Sequence, residues 1–421
     1  MRRLGVALIA AALALAVSPI SSQATEVIAS FPGDEVANIY PVTDGYLVLG
    51  TTFSNSDTST VFYGEAGIGG SDIYLRKLDL KFQLVWSHRF GTTNSDFAHS
   101  LVADKSGNYW ILATTSLNPS ETNTAQPTQS SLAPGVPTLN PDGVSLASPQ
   151  VAAPTPTNAL WLAEVDNSGK LLNANTISVK PQRIVAATNL LLADNRIVLV
   201  GNITDPKTGD NDAFYVLCAQ TCETAKYLGK KSTYVRVAHL EKNQLLLAGS
   251  TKDIWPGKKA IGKIDAFAMV LDLSTGKQIF FQRSGNKSAV RSWESGYQLN
   301  GQIVLSGFSE LGTNQEVVTT SFAKNGNVTA TARFPSNGSR TSILPKRYGS
   351  LLIINSSKPI SKGLKTGPTA ITLSPTRKVI SALNLPGLNL VGSSGVYAQS
   401  SGKVLVDWLT DSDAGLLKRY S

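Results

Sequence analysis

Seven short apolar runs, each entered through a tight turn, constrain this chain more than any other feature. They are "GYLVLGTT" at 45, "GNYWILATT" at 107, "NRIVLVGN" at 195, "NQLLLAGS" at 243, "GQIVLSGF" at 301, "GSLLIINS" at 349 and "GKVLVDWL" at 402. Each is followed by a second strand-like segment: "SDIYLRKLD", "TNALWLAEVD", "NDAFYVLC", "IDAFAMVLD", "NQEVVTTSF", "GPTAITLSP" and "SDAGLLKRY". Six of these lead through a short turn into a third segment, such as "LVWSHRFG" or "IFFQRSG", and then into a half-polar one, such as "DFAHSLVAD" or "STYVRVAHLEKN". Four short strands recurring about every 50 residues is the period of propeller blades. Runs rich in Val, Ile, Leu, Tyr and Phe, punctuated by Gly, Asn and Asp, agree with an all-β chain.

The expected fold is therefore a seven-bladed β-propeller with four antiparallel strands per blade, over residues 25–421. We label the strands A to D from the axis outward, the half-polar strand being A and the continuous apolar one B. That order places the most apolar strand where neighbouring blades cover both its faces. The last unit, ending "SDAGLLKRYS", then lacks strand D. The segment "TEVIASFPG" at 25–33 has no blade of its own and resembles "VTATARFPS". Laid beside "GLLKRYS", it would complete the last blade and close the ring without a raw edge. Ahead of it, Arg2 and Arg3 precede an apolar run from Leu4 to Val17 and the small residues "SPISSQA". This reads as a signal peptide over 1–24, cleaved near Ala24, and predicts a secreted or periplasmic protein. The residues around the twin arginines fit a folded-export signal poorly.

The unit "GGSDIYLRKLDLKFQLVWSHRFGTTNSDFAHSLVADKSGNYWILATTS" resembles the β-propeller repeat of secreted bacterial proteins, in which Gly-Gly precedes an Asp-Ala-Tyr-like strand and Asp-x-x-Gly-Asn the next. The likeness is clear in the first blade and fades toward the seventh. It implies the seven-bladed architecture and brings no catalytic residues with it.

The two cysteines, Cys218 and Cys222 in "LCAQTCE", sit at a hairpin tip, and an exported chain would join them as a local disulfide. A thiolate metal site is the alternative, without a histidine nearby in sequence. The A–B and C–D turns are minimal, for example "TDG", "DNSG" and "KNG", whereas the B–C loops on the opposite face are long: "FSNSDTSTVFYGEAGIGGS", "TKDIWPGKKAIGK" and "SSKPISKGLKTG". The longest B–C insertion, 117–158 in blade two, holds 8 of the chain's 20 prolines and is expected to be disordered. As a lid, tether or glycosylated stalk it would have a function; as a surface insertion it costs little.

Charge is divided unevenly. Residues 25–219 carry 10 Lys and Arg against 18 Asp and Glu, and residues 220–421 carry 26 against 11; between Glu316 and Asp407 there is no acid and there are 11 bases. A field of this kind favours an anionic partner, such as an envelope polymer, an acidic polysaccharide, nucleic acid or a protein surface. Solvated surface lysine is the plain alternative. Trp255 shares its loop with Lys258 and Lys259, a candidate contact for such a partner. Arg183, Arg236, Arg291 and Arg340, with His99, fall on or entering strand A of blades two to six, where guanidinium groups converging on the channel mouth would suit a carboxylate or phosphate. Their unequal offsets from strand B leave open that some face blade interfaces instead.

Catalytic signatures are sparse. His88, His99 and His239 fall on different blades, and no zincin, nucleophile-elbow or phosphate-loop motif occurs, so no metal or cofactor is called for. "TDPKTGDND" holds three aspartates without calcium-loop spacing and reads as a turn. The expectation is a non-enzymatic, monomeric binding propeller. The alternative is a carbohydrate-active hydrolase or lyase using the carboxylates of Glu35 and Asp96, which begin adjacent A strands.

Overall fold

The computed structural model describes residues 26–32, 34–53, 68, 70–117, 128–131, 157–180, 182–193, 196–219, 221–255, 259–388, 390, 393–398, 405–411 and 414–420. The segment 1–24 and most of 117–158 lie outside them, as does Lys258.

The described residues form strands and turns, without helices. After β1 (Glu26–Pro32), the first sheet is a meander of β2 (Asp34–Val42), β3 (Gly45–Thr52), β4 (Asp72–Asp79) and β5 (Leu84–Gly91). The second contains β6 (Asp96–Ala103) and β7 (Tyr109–Thr115), then β9 (Ala159–Val165) and β10 (Leu171–Ser178). Between them in sequence, β8 (Thr128–Ser131) pairs with the outer edge of β5. Asn158 ties the insertion's neck shut, its side chain accepting from the Leu117 N–H at 2.7 Å and donating to the Leu117 carbonyl at 2.8 Å.

The third sheet is β11 (Ile184–Ala193), β12 (Arg196–Thr204), β13 (Asn211–Cys218) and β14 (Lys226–Leu228). The fourth is β15 (Thr233–Glu241), β16 (Gln244–Thr251), β17 (Asp265–Asp272) and β18 (Gln278–Ser284). A seven-stranded sheet follows: β19 (Val290–Leu299), β20 (Gln302–Leu311), β21 (Asn314–Phe322), β22 (Val328–Pro345), β23 (Ser350–Ser356), β24 (Gly367–Leu373) and β25 (Val379–Asn384). Last come β26 (Ser393–Ala398), β27 (Leu405–Asp411) and β28 (Ala414–Tyr420), and β1 completes this sheet beside β28. The register runs from Glu26 opposite Arg419 to Pro32 opposite Ala414.

A boundary expected between two strands is absent. Residues 328–345 form one strand of 18 residues, pairing with β21 through its first half and with β23 through its second. Its middle is irregular: the register with β23 shifts between Ser336 and Thr341 and Gly338 has φ +118°, while Ser336 donates to the Asn355 carbonyl at 2.9 Å and the Gln315 side chain accepts from the Gly338 N–H at 2.6 Å.

Each second strand is the buried one, as its unbroken apolar sequence requires: every residue of β3 is buried, whereas the outer strands β10 and β25 are largely exposed. The first strands contact one another in succession, β2 to β6, β6 to β11, β11 to β15, β15 to β19, β19 to β22, β22 to β26 and β26 back to β2. Apolar side chains fill the spaces between consecutive sheets. Leu47 and Ile73 meet Leu101, Ile111 and Trp161, and Val198 and Tyr215 meet Leu247 and Phe267. Leu417 of β28 is buried with Val36, Ile39 and Tyr46.

Backbone bonds stitch the same seams, Asp96 N to Ser71 O at 2.8 Å and Arg291 N to Ile264 O at 3.0 Å. The "SD…RFG" and "ID…RSG" repeats place a buried ion pair at the mouth of two sheets: Arg89 Nε donates to Asp72 at 2.7 Å, and Arg283 Nε to Asp265 at 2.6 Å. Cys218 and Cys222 form a disulfide that closes the turn after β13.

Candidate functional site

A shared irregularity in the first strands organises the site. In β2, β6, β11, β15, β19 and β26 one residue is extruded from the ladder: Ala37, His99, Thr188, Arg236, Glu294 and Ser394. In four of these strands the bulge lies opposite a glycine, Gly50, Gly201, Gly249 or Gly307. A Cβ on Gly249 or Gly307 would collide with the Tyr234 or Ser292 carbonyl oxygen that the bulge presses against it. Bulges re-aim a side chain, and here they act on the first strands, which contact one another in succession.

On three neighbouring first strands the re-aimed groups meet. Arg236 of β15 donates through Nε to Glu294 Oε2 of β19 at 3.1 Å, and its guanidinium lies 4.7 Å from the Tyr234 ring centroid. Arg340, on β22, adds a second positive field at Glu294. Burial raises the Glu294 pKa, while Arg236, a hydrogen bond from Ser292 and Arg340 oppose that shift. The Arg236 side chain is 49% exposed and that of Glu294 only 15%, so the carboxyl is the deeper partner of the pair. Glu294 Oε1 is buried without a hydrogen-bond partner.

The other candidate arginines are directed elsewhere. Arg183 pairs with Asp205 at 2.6 Å, and Asp205 also caps the backbone N–H of Lys207 at 2.8 Å, which makes "TDPKTGDND" a turn. Arg291 is buried, donating to Ser309 at 3.0 Å and Ser284 at 3.2 Å. The physical reason is phase: Arg236 occupies the bulge itself, whereas Arg291 precedes the Glu294 bulge and turns into the sheet packing. His99 does occupy a bulge. Its Nε2 lies 2.9 Å from Thr114 Oγ1, and burial lowers its pKa to about 4, so the ring is neutral at physiological pH.

Trp255, expected on the loop as a partner contact, stacks on Phe281 at 4.7 Å and Phe267 at 6.1 Å and packs into the core of the third and fourth sheets. Burying an indole face in an available aromatic slot outweighs leaving it in water. Lys259, Lys252 and Lys263 on the same loop are exposed.

Glu35 and Asp96 are not brought together as an interacting pair. Burial alone raises Glu35, with no contribution from Asp96. Asp96 is fully buried, accepting from Thr92 N at 2.6 Å and from its hydroxyl. Its neighbour is Asp72: a Cβ on Gly91 would lie 2.6 Å from Asp72 Oδ1 and 3.0 Å from Asp96 Oδ2. Burial, with the Asp72 charge added, raises Asp96 to about 7 against the opposing hydrogen bonds. Among the described residues no group of three or more His, Cys, Asp or Glu side chains gathers as a metal site.

Two surface clefts open on the side of the tight turns rather than among the long loops. One, of about 560 Å³, is lined by Arg196, Thr221, Glu223 and Lys226; the other, of about 550 Å³, by Glu241, Lys242, Asp272 and Lys324.

Arg236, Arg340 and His99 stand out in the sequence as candidates, whereas Glu294 and Thr188 do not. The signal was the glycine recurring near the end of the apolar runs, "LVLG", "VLVG", "LLAG" and "VLSG", which marks where a first-strand carbonyl approaches too closely for a side chain.

No family model matches the chain, and no curated protein does. Similar solved structures include Drosophila Semaphorin 2a (7% identity, TM-score 0.48, 95% of this chain and 76% of that one), and the polysaccharide lyase Uly1 (10%, 0.47, 92% and 90%). The Dos1 propeller is another (10%, 0.46, 88% and 75%). The chain is all-β, built from antiparallel, mostly four-stranded sheets, with β-propellers among its structural neighbours. Likeness at this level carries nothing about activity.

Proposed function

We propose that the chain is an exported, non-enzymatic seven-bladed propeller that binds an anionic extracellular polymer or acidic protein surface. Seven blades result when the seven-stranded sheet is divided within β22, and the ring closes through β1 beside β28. The cyclic succession of first-strand contacts supports this count. Export rests on the leader-like residues 1–24, and the disulfide fits an oxidising compartment.

The observation that carries the binding reading is the sector from β22 to β25. Of the ten described cations between residues 317 and 402, nine are exposed: Lys324, Arg333, Arg340, Lys346, Arg347, Lys358, Lys362, Lys365 and Lys378. No acid interrupts that stretch, and Arg333 has its ion-pair partner just before it, Glu316 at 3.0 Å. Lys358, Lys362 and Lys365 lie together on the loop between β23 and β24. A single-signed surface of this kind concentrates polyanions by salt-dependent attraction.

Retention on a sulfated or carboxylated polysaccharide matrix should persist at about 150 mM salt, where the screening length is about 8 Å. Reversing the charges of Lys358, Lys362 and Lys365 to Glu should shift elution to lower salt. Elution of the natural protein with neutral proteins of its size would refute the proposal.

A further inference from the structure

Four turns of the seven-stranded sheet gather at one end of its strands: those joining β19 to β20, β21 to β22, β22 to β23 and β24 to β25. Ser350, buried at the start of β23, pins three of them together. Its Oγ lies 2.6 Å from Tyr297 Oη near the end of β19 and accepts from Arg377 Nη1 of the β24–β25 turn at 2.8 Å. Gly349, at φ +95°, sits so close to the Leu373 carbonyl oxygen that a Cβ would collide with it. Lys324 brings in the remaining turn, its Cδ lying 3.8 Å from where a Cβ on Gly301 would stand. The turns therefore form one continuous patch.

That patch is amphipathic. Tyr348 is 71% exposed at the tip of the β22–β23 turn and Ile380 60% at the start of β25, and Leu299, Val328 and Val379 are exposed beside the same turns. Lys324, Lys346, Arg347 and Lys378 are exposed among them, with the Arg347 guanidinium 5.3 Å from the Tyr348 ring centroid. No acid falls within the four turns. Glu241 and Asp272 border the patch in the cleft they share with Lys242 and Lys324. Both are engaged, Glu241 by the Gly301 N–H at 2.9 Å and Asp272 by the Ser274 N–H of its own turn at 2.9 Å.

A hydrated polyanion would satisfy the cations and offer nothing to five uncovered apolar side chains. The headgroup boundary of an anionic bilayer matches both sets. Lipid phosphates meet the ammonium and guanidinium groups, while the aliphatic and aromatic tips enter the margin of the acyl region. Tyrosine suits that depth because its ring is apolar and its hydroxyl still reaches water. We propose that this end of the sheet docks on an anionic phospholipid surface. The loop of Lys358, Lys362 and Lys365 lies at the opposite end of β23, so a docked molecule holds that loop away from the bilayer, where a polymer can reach it.

Vesicle flotation tests the proposal on the full protein at about 150 mM salt, where charges more than about 8 Å apart are largely screened. Vesicles of equal parts phosphatidylglycerol and phosphatidylcholine should bind it at least about tenfold more tightly than phosphatidylcholine alone. Reversing Lys346 and Arg347 to Glu should weaken that binding on the order of a hundredfold. Tyr348→Ser with Ile380→Ser keeps every charge and should still weaken it about tenfold, with circular dichroism and thermal melting unaltered. Tyr348→Cys carrying a polarity-sensitive dye should shift to the blue on the anionic vesicles and stay unshifted with dextran sulfate. Charge reversal of Lys358, Lys362 and Lys365 should reduce matrix retention and leave vesicle binding intact, so the two surfaces fail separately. No binding to the anionic vesicles, equal binding to both kinds, full binding by the Tyr348→Ser, Ile380→Ser variant, or a dye that stays unshifted on the vesicles would each overturn the proposal.

Discussion

Replacing Asp96 with asparagine should make the protein more stable above neutral pH and leave it nearly unchanged in acid. The folded protein raises Asp96 from 3.8 to about 7, so between those values it holds a proton that the unfolded chain has released. Stability from this group is complete below 3.8, declines as pH rises, and has been lost once pH passes about 7. A rise of about three units at 1.36 kcal/mol each amounts to on the order of 4 kcal/mol. Asparagine is isosteric, its carbonyl can accept from the Thr92 N–H, and its amide can donate toward Asp72. Urea unfolding followed by tryptophan fluorescence at about pH 5, 6, 7 and 8, on both proteins, isolates the difference from every other titrating group. The stability gap should widen from about pH 5 to about pH 7 in favour of the variant and then level off. A gap that does not vary with pH, or a variant less stable at about pH 8, would refute the assignment of a buried carboxyl acid at this seam.

Four further outcomes follow from the packing. Gly307→Ala should cost about 1–3 kcal/mol in chemical denaturation, because its Cβ runs into the Ser292 carbonyl. Trp255→Ala should cost about 3–5 kcal/mol yet leave matrix retention intact, the reverse of what a ligand-contact role would give. Serine at both Cys218 and Cys222 should cost about 2 kcal/mol under oxidising conditions and nothing relative to the natural protein under reducing ones, as expected for so short a closed loop. Removing Glu26–Pro32 should bare the edge of β28 and produce concentration-dependent aggregation, visible in light scattering.

The fold was legible because the apolar runs carry their own placement. A strand such as "GYLVLGTT" has no polar side to show water, so it must lie between covered faces, and the unmatched "TEVIASFPG" had an obvious place beside "GLLKRYS". Positions within the first strands were harder to read. A bulge shifts the in-and-out alternation by one residue, so Arg291 and Arg236, both on first strands, end up in different surroundings. Glu294 gives no sign of itself in the half-polar stretch that also holds Arg291. Trp255 misled in the opposite sense, since its lysine-rich neighbours say nothing about the aromatic slot between Phe267 and Phe281. The continuity of β22 is hidden by "PSNGS", a turn-like composition that here makes a bulge with Gly338 at positive φ, tied across by Ser336 and Gln315.

The pairing of β1 with β28 also has a mechanical side. The strands are antiparallel, with Glu26 opposite Arg419, so a tension applied across Glu26 and Tyr420 loads the ladder from one end, one rung at a time. Such a joint unzips at low force instead of shearing, whatever its strength at equilibrium. Pulled by these two residues, the molecule should open first at this seam, and the long strand β22 should keep the two halves of its own sheet together until much later.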